Sequence, residues 1–114
     1  MTESTDPIAN LSALVRRLRG PDGCPWDREQ RLIDLRAYLL EEAHEVAAAI
    51  DSGDWTELRG ELGDLLFHIV FIAELAEEQK AFDLPEVSRE IEAKMIARHP
   101  HVFGAEQLLS LIHI

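Results

Sequence analysis

Two pairs of carboxylates with the same spacing are the residues of this sequence best suited to chemistry. Glu42 and Glu45 are three residues apart, and Glu61 and Asp64 repeat that interval sixteen residues later. On helices, side chains at positions i and i+3 share one face, so two such faces turned towards each other surround a space with carboxylate oxygens. Oxygen ligands suit Mg²⁺ or Mn²⁺ better than zinc. The spacing therefore indicates a metal-dependent enzyme that acts on phosphates.

The cost of unneutralised charge is the physical reason to assign these carboxylates a function. Like charges at i, i+3 destabilise a helix by about 0.2–0.5 kcal/mol per pair, and a bound cation reverses that sign. A solvated acidic surface is the alternative explanation. Glu42 and Glu61, however, border the apolar stripes of their helices, where an unpaired carboxylate is costly. Their position favours metal ligands over a solvated surface.

Apolar spacing predicts the two helices that must position the carboxylates. The first covers residues 34–51 and ends at Gly53, and the second begins after Asp54, which caps it. The predicted core stripes are Leu35, Leu39, Ala43, Val46 and Ile50 on the first helix, and Leu58, Leu62, Leu65, Ile69, Ala73 and Ala76 on the second. The second helix is also apolar on its opposite side, at Phe67, Val70 and Phe71. A second buried surface, and hence a homodimer, is predicted.

Two further helices complete an all-α, four-helix bundle-like fold without strands. The first carries Ile8, Leu11, Leu14, Val15 and Leu18 at helical spacing. It ends at the turn of residues 20–23, and a loop with Cys24-Pro25-Trp26 then leads to a predicted capping box at Asp27 to Gln30. The last helix restarts near Phe82, is predicted to bury Val87, Ile91 and Met95, and ends at or before His99, because Pro100 disfavours helical geometry in its predecessor.

Composition limits the classes of protein that fit. The chain has 114 residues, which suits one domain, and a formal net charge of -11. That charge argues against nonspecific binding to nucleic acid or to an anionic membrane. Cys24 is the only cysteine, so no intrachain disulfide is expected. The polar start of the chain predicts no signal peptide, and a cytoplasmic location is expected.

A cationic group stands at the end of the last predicted helix. Lys94 and Arg98 are i, i+4 neighbours, and His99 and His101 follow them. Positive charge at a helix C-terminus complements the macrodipole, which is one explanation. The other is a clamp for phosphate oxygens opposite the metal.

Four segments in this order resemble the MazG-type nucleoside triphosphate pyrophosphohydrolases of the all-α NTP pyrophosphatase superfamily. They are Cys24-Pro25-Trp26-Asp27, Tyr38-Leu39-Leu40-Glu41-Glu42 through Glu45, Gly60-Glu61-Leu62-Gly63-Asp64-Leu65-Leu66, and Arg98-His99-Pro100-His101-Val102-Phe103-Gly104. The resemblance covers roughly residues 8–104 of the chain. It implies a helical dimer that uses Mg²⁺ to hydrolyse nucleoside triphosphates to the monophosphate and pyrophosphate, as in house-cleaning of the nucleotide pool.

The resemblance also implies roles for single residues. Metal ligation falls on Glu42, Glu45, Glu61 and Asp64, and phosphate contacts fall on Lys94 and Arg98. Trp26 stacks a base or packs as a buried aromatic, and the sequence leaves both roles open. Glu41 and Glu42 are the two candidates for the general base that accepts a proton from the attacking water.

Several alternatives stay open at this point. The domain is expected to cover residues 1–104, followed by an apolar tail, residues 105–114, that is atypical of the family and suggests a truncation or a reading-frame artefact. A non-catalytic dimerisation or regulatory domain of a longer protein is the alternative to an enzyme. A narrower substrate such as dCTP, dUTP or a damaged nucleotide is possible within the enzyme class. His68, four residues after Asp64, is either a core histidine or a neighbour of the metal ligands.

Overall fold

The computed structural model describes residues 5–104, which form helices and no strand. The helices are α1 (Pro7–Leu18), α2 (Pro25–Glu29), α3 (Leu32–Ser52), α4 (Trp55–Glu78) and α5 (Leu84–Arg98). Residues 100–104 form a further helical turn. The all-α prediction is confirmed for this part of the chain. The chain divides between Ala81 and Phe82 into two compact units, each of which is described by itself.

The segment between α1 and α3 differs from the prediction. The residues expected to form a loop around Trp26 form the short helix α2, which begins with Pro25 in its first turn. Proline favours that position because its fixed φ is already helical. Asp27 therefore lies inside α2, and the predicted capping box at Asp27 to Gln30 is wrong. Arg31 caps α3 instead, and its backbone N–H donates to the carboxylate of Asp34 at 2.9 Å.

A tight connection joins α3 and α4 into a helical hairpin. Gly53 ends α3 in the left-handed region, with φ of 74°, which glycine adopts without steric cost. The Asp54 carboxylate then accepts hydrogen bonds from the backbone N–H groups of Thr56 and Glu57, at 2.9 and 3.2 Å. Both predicted boundaries are confirmed. The two helices run antiparallel and pack along most of their length.

The buried seam of this hairpin is rotated from the predicted stripes. Its buried and half-buried members are Leu35, Leu39, Glu42, Val46 and Ala49 on α3, and Leu58, Glu61, Leu65, His68, Ile72 and Leu75 on α4. The predicted core residues Ala43, Ile50, Leu62 and Ile69 are exposed. The seam of α3 advances from Leu35 in steps of three and four residues, and it therefore includes Glu42 and Ala49. The predicted core residues Ala43 and Ile50 follow them by one position, so their side chains point about 100° away from the seam.

The predicted second apolar surface of α4 is an internal one. Within residues 5–104, Val70 and Phe71 are the largest fully buried side chains together with Val15 of α1. Helix α1 packs on α4, and the Arg19 guanidinium lies over the Phe71 ring at 5.6 Å. The chain's own α1 thus covers the face that had been assigned to a partner subunit. No described helix, α4 included, has the length and apolar character needed to cross a membrane.

In the unit that begins at Phe82, α5 has the predicted ends but a different buried residue. The Asp83 carboxylate accepts from the Glu86 N–H at 2.9 Å, and His99 ends the helix as predicted. Ile96 is buried and Met95 half-buried, whereas Val87 and Ile91 are exposed. The described part of this unit has no second long helix.

Candidate metal centre

The hairpin brings three of the four predicted metal ligands together. Carboxylate oxygens of Glu42, Glu61 and Asp64 all lie within 4.8 Å of one another. Glu42 lies in the middle of α3, and the other two lie one helical turn apart on the facing part of α4. Glu42 and Glu61 are half-buried, and Asp64 is exposed. The site is therefore open to solvent on one side, with two of its carboxylates partly withdrawn into the seam.

The surroundings of Glu42 disfavour a charge on its carboxyl group. Burial, followed by the neighbouring Glu61, Asp64 and Glu45 carboxylates, raises the pKa of Glu42 from 4.5 to about 7. Its Oε1 atom is buried without a hydrogen-bond partner in the described part of the chain. Such an acceptor is costly unless a donor or a cation faces it. The donor set is all oxygen, so the residues present fit Mg²⁺ or Mn²⁺.

The remaining predicted carboxylates stand beside this cluster. Glu45 is exposed and lies outside the group of three, although its charge contributes to the raised pKa of Glu42. Glu41 is exposed at the position before Glu42. Side chains of adjacent residues point about 100° apart on a helix, so Glu41 does not share the direction of Glu42.

An aromatic group borders the carboxylates. Trp26 is 56% exposed, and its ring contacts the Tyr38 ring edge-on, with centroids 6.0 Å apart. Tyr38 is in turn parallel to the imidazole of His68, at 6.2 Å. Nδ1 of His68 is buried without a partner among the described residues, so no carboxylate bond holds this nitrogen. Tyr38 received no role from the sequence, although it lies four residues before Glu42 and so on the same side of α3.

The predicted phosphate-contacting residues belong to the other unit. Lys94 and Arg98 are exposed, and their i, i+4 spacing on α5 places them on one face of that helix. His99 Nδ1 lies 2.6 Å from the backbone oxygen of Met95, and its ring is 5.7 Å from that of His101. The end of α5 therefore carries four exposed basic side chains, Lys94, Arg98, His99 and His101.

Comparison with known proteins identifies relatives of this chain. Residues 30–103 match the family model of the MazG nucleotide pyrophosphohydrolase domain. A nucleoside triphosphate pyrophosphohydrolase of Escherichia coli K12 is 48% identical over 98 residues, which are 85% of this chain and 37% of that protein. A nucleoside triphosphate pyrophosphohydrolase/pyrophosphatase MazG of Thermotoga maritima is 42% identical over 104 residues, 91% of this chain and 41% of that protein.

A Mycobacterium tuberculosis protein of the same description, a nucleoside triphosphate pyrophosphohydrolase, is 41% identical over 103 residues, 89% of this chain. The match covers 31% of that relative's length. The chain thus spans roughly a third to two fifths of the curated relatives it matches. The matched region contains all four predicted metal ligands, together with Lys94 and Arg98.

Proposed function

The chain belongs to the MazG nucleotide pyrophosphohydrolase domain family, and we propose that it hydrolyses nucleoside triphosphates to the monophosphate and pyrophosphate in the presence of Mg²⁺. The observation that carries the proposal is the convergence of Glu42, Glu61 and Asp64, with a buried oxygen on Glu42 that has no hydrogen-bond partner among residues 5–104. Three carboxylates so close together repel one another, and a divalent cation relieves that repulsion. The names of the relatives support the same substrate class.

The proposed ligands are the three clustered carboxylates and Glu45. A divalent cation held by these residues would neutralise phosphate charge and make the attacking water more acidic. In the cleavage, the oxygen of a water molecule bonds to the α-phosphorus while the bond to the departing pyrophosphate breaks. Glu41 or Glu42 accepts the proton of that water. A Glu41→Gln variant that retains cation binding and loses turnover would assign the base to Glu41.

The basic and aromatic residues have separate proposed roles. Lys94 and Arg98 bind phosphate oxygens, as the family resemblance implies, and Trp26 stacks the base. The exposure of Trp26 supports this role over that of a buried packing aromatic. A stacking contact accepts any base, because every base has a π-face. A panel of triphosphates that includes dCTP and dUTP would reveal any narrower preference.

A homodimer remains part of the proposal, with a different surface from the one predicted. Leu40 and Ile50 each follow a seam residue by one position on α3, as Leu62 and Ile69 do on α4. Each side chain therefore points about 100° away from its seam neighbour. Because the two helices are antiparallel, this offset places all four side chains on the same side of the hairpin. That side is opposite the one on which α1 packs against Phe71. All four residues are exposed, and Leu62 and Ile69 are 48% and 40% accessible. Their burial against a second copy is the proposed interface.

The activity is tested by chromatography of the products. The purified chain should convert ATP to AMP and pyrophosphate with Mg²⁺, and Glu61→Gln should lose this activity. Asp51→Asn, which removes an exposed carboxylate of α3 outside the cluster, is the matched control and should retain it. Release of ADP with orthophosphate, or full activity in excess EDTA, would contradict the proposal.

The alternative is a non-catalytic dimerisation or regulatory domain of a longer protein. It predicts the same fold without turnover under any of these conditions. The comparisons favour the enzyme, because relatives matched over most of this chain are described as pyrophosphohydrolases. The product assay separates the two functions directly.

A further inference from the structure

One guanidinium, that of Arg19, connects α2 to the rest of its unit. Its Nη1 donates to the backbone oxygens of Asp27 and Gln30, at 2.6 and 3.1 Å. Its Nε and Nη2 bind the Glu78 carboxylate on α4, at 2.6 and 2.8 Å. The Arg19 side chain is only 12% exposed, and it rests on the ring of Phe71. Arg19 thus uses one side of its guanidinium to hold α4 and the other to hold the C-terminal end of α2.

The position of α2 determines the position of Trp26. A five-residue helix has little stability of its own, so its place depends on tertiary contacts. Arg28 adds one such contact from its Nη1 to the backbone oxygen of Pro21, at 2.7 Å. This second contact holds α2 to the preceding turn, whereas the hydrogen bonds of Arg19 connect α2 to α4.

Trp26, Tyr38 and His68 form what we call the aromatic surface, and it adjoins the carboxylates. Tyr38 precedes Glu42 by one helical turn, and His68 follows Asp64 by one turn, a rise of about 5.4–6 Å in each case. Trp26 is an exposed residue, so burial does not hold its ring in place. The surface is therefore accessible to a flat ligand and lies within the span of a nucleotide whose phosphates reach the carboxylates.

We propose that Arg19 is a positioning residue, which holds Trp26 beside Tyr38 so that the aromatic surface is preorganised to stack the base of the substrate. This inference rests on the proposed function. A preorganised surface improves binding because the ordering of α2 is not left to the binding event. Arg19 therefore determines the affinity for ligands that carry a base. It does not determine the cleavage step or the affinity for a base-free polyphosphate.

The chain supplies a matched pair of variants. Arg19→Lys keeps a positive charge near Glu78 but loses the planar fork that reaches α4 and α2 together. Arg16 makes the same kind of link from α1 to α4, since its Nε and Nη2 bind the Glu74 carboxylate at 3.0 and 3.2 Å. Its hydrogen bonds in the described part of the chain go to α4 and not to α2. Arg16→Lys therefore controls for weakening a link between α1 and α4.

Tryptophan fluorescence tests the positioning without reference to catalysis. The chain has two tryptophans, and Trp55 is 82% exposed at the start of α4, so Trp55→Phe leaves Trp26 as the single reporter. In this background, Arg19→Lys should increase acrylamide quenching and lower the anisotropy of Trp26, with unchanged helix content by circular dichroism. Arg16→Lys should change neither signal. Equal signals in the wild-type and Arg19→Lys backgrounds would overturn the positioning role.

Kinetics test the consequence for binding. Arg19→Lys should raise the KM for ATP about tenfold, in the range measured for loss of base stacking, with kcat within about twofold. The inhibition constant of inorganic tripolyphosphate, which has no base, should stay unchanged. An equal rise in both constants, or a loss of kcat at constant KM, would overturn the inference.

The two proposals fail in distinguishable ways. If the wild type does not cleave ATP, the proposed function fails. The inference is then tested by the binding of α,β-methylene-ATP with Mg²⁺, which is measured as quenching of Trp26 fluorescence. Weaker binding of this analogue to Arg19→Lys than to Arg16→Lys supports the inference. Equal binding to both variants contradicts it.

Discussion

At the scale of single residues, Glu42 occupies a position where a helical hairpin ordinarily buries an apolar side chain. It continues the seam that Leu35 begins, and its Oε1 is buried without a partner in the described residues. Alanine or leucine there would pack at lower cost. A carboxylate at this position is explained if a bound cation neutralises its charge. The sequence predicted this residue as a ligand, but not its central place in the seam, because hydrophobic spacing assigned the stripe to Ala43 and Ile50.

The raised pKa of Glu42 makes the cation-free protein sensitive to pH. The carboxyl binds its proton more tightly in the folded chain, with a pKa of about 7 against an ordinary 4.5. The stability that the protonated Glu42 carboxyl contributes is therefore fully present below the ordinary pKa of 4.5. It is lost as the pH rises through the pKa of about 7 in the folded chain. Urea unfolding in EDTA, from about pH 4 to pH 8, should show this loss in the wild type and not in Glu42→Gln. Glu41→Gln, which removes an exposed charge, should follow the wild type. Parallel pH profiles for all three would contradict the account.

At the scale of elements, the turn between α1 and α2 carries a close backbone approach. A Cβ on Gly23 would lie 2.2 Å from the backbone oxygen of Leu18 and 2.3 Å from that of Arg17. The same turn places the Cys24 N–H 2.8 Å from the Leu18 oxygen. Only glycine, which has no Cβ, fits this close approach, and the turn then leads directly into α2.

Alanine at Gly23 should therefore displace the turn and destabilise the protein by about 1–3 kcal/mol. Gly60 is the matched control, because a Cβ there meets no described heavy atom within 4 Å. Gly60→Ala should be neutral or stabilising by up to about 1 kcal/mol, since alanine favours helix interiors. Thermal unfolding of both variants measures the difference. A Gly23→Ala protein as stable as the wild type would show that the turn relaxes without cost.

The elements differ in how far their sequences determine them. The end of α3 at Gly53 and the start of α4 at Asp54 depend only on the capping residues themselves, so the sequence predicts both boundaries. Helix α2 was missed because Pro and Gly around Trp26 resemble loop composition, while its position depends on Arg19, whose partner Glu78 is 59 residues away. The faces of α4 were misassigned for a similar reason. Its apolar surface is wide enough to fit either orientation, and packing of α1 selected Val70 and Phe71 for the interior.

At the scale of the whole molecule, the hairpin has two unlike sides. One side carries α1, while the other exposes Leu40, Ile50, Leu62 and Ile69. Large exposed apolar faces are uncommon on monomers and mark interaction surfaces. A second copy is the proposed occupant of this face.

Placing a charge on this face should dissociate the proposed dimer. Ile69→Glu puts a carboxylate where the second copy packs, which is costly while the partner stays. Ile33→Glu, at an exposed isoleucine on the outer side of α3, is the control and should leave the dimer intact. Light scattering at micromolar concentration gives the masses. A monomeric wild type, or an unaffected Ile69→Glu dimer, would contradict the proposed interface.

The cation site is the central claim, and a Mn²⁺ titration followed by electron paramagnetic resonance tests it most directly. Free Mn²⁺ gives a strong signal that decreases on binding, so uptake is measured without any assumption about the substrate. Wild-type protein should take up Mn²⁺ stoichiometrically, and Mg²⁺ should compete for the site. Glu61→Gln and Asp64→Asn should each bind at least about tenfold more weakly, as expected on loss of a ligand, while Asp51→Asn binds as the wild type does. Uptake that is absent from the wild type, or equal in all four proteins, would contradict a cation site at Glu42, Glu61 and Asp64.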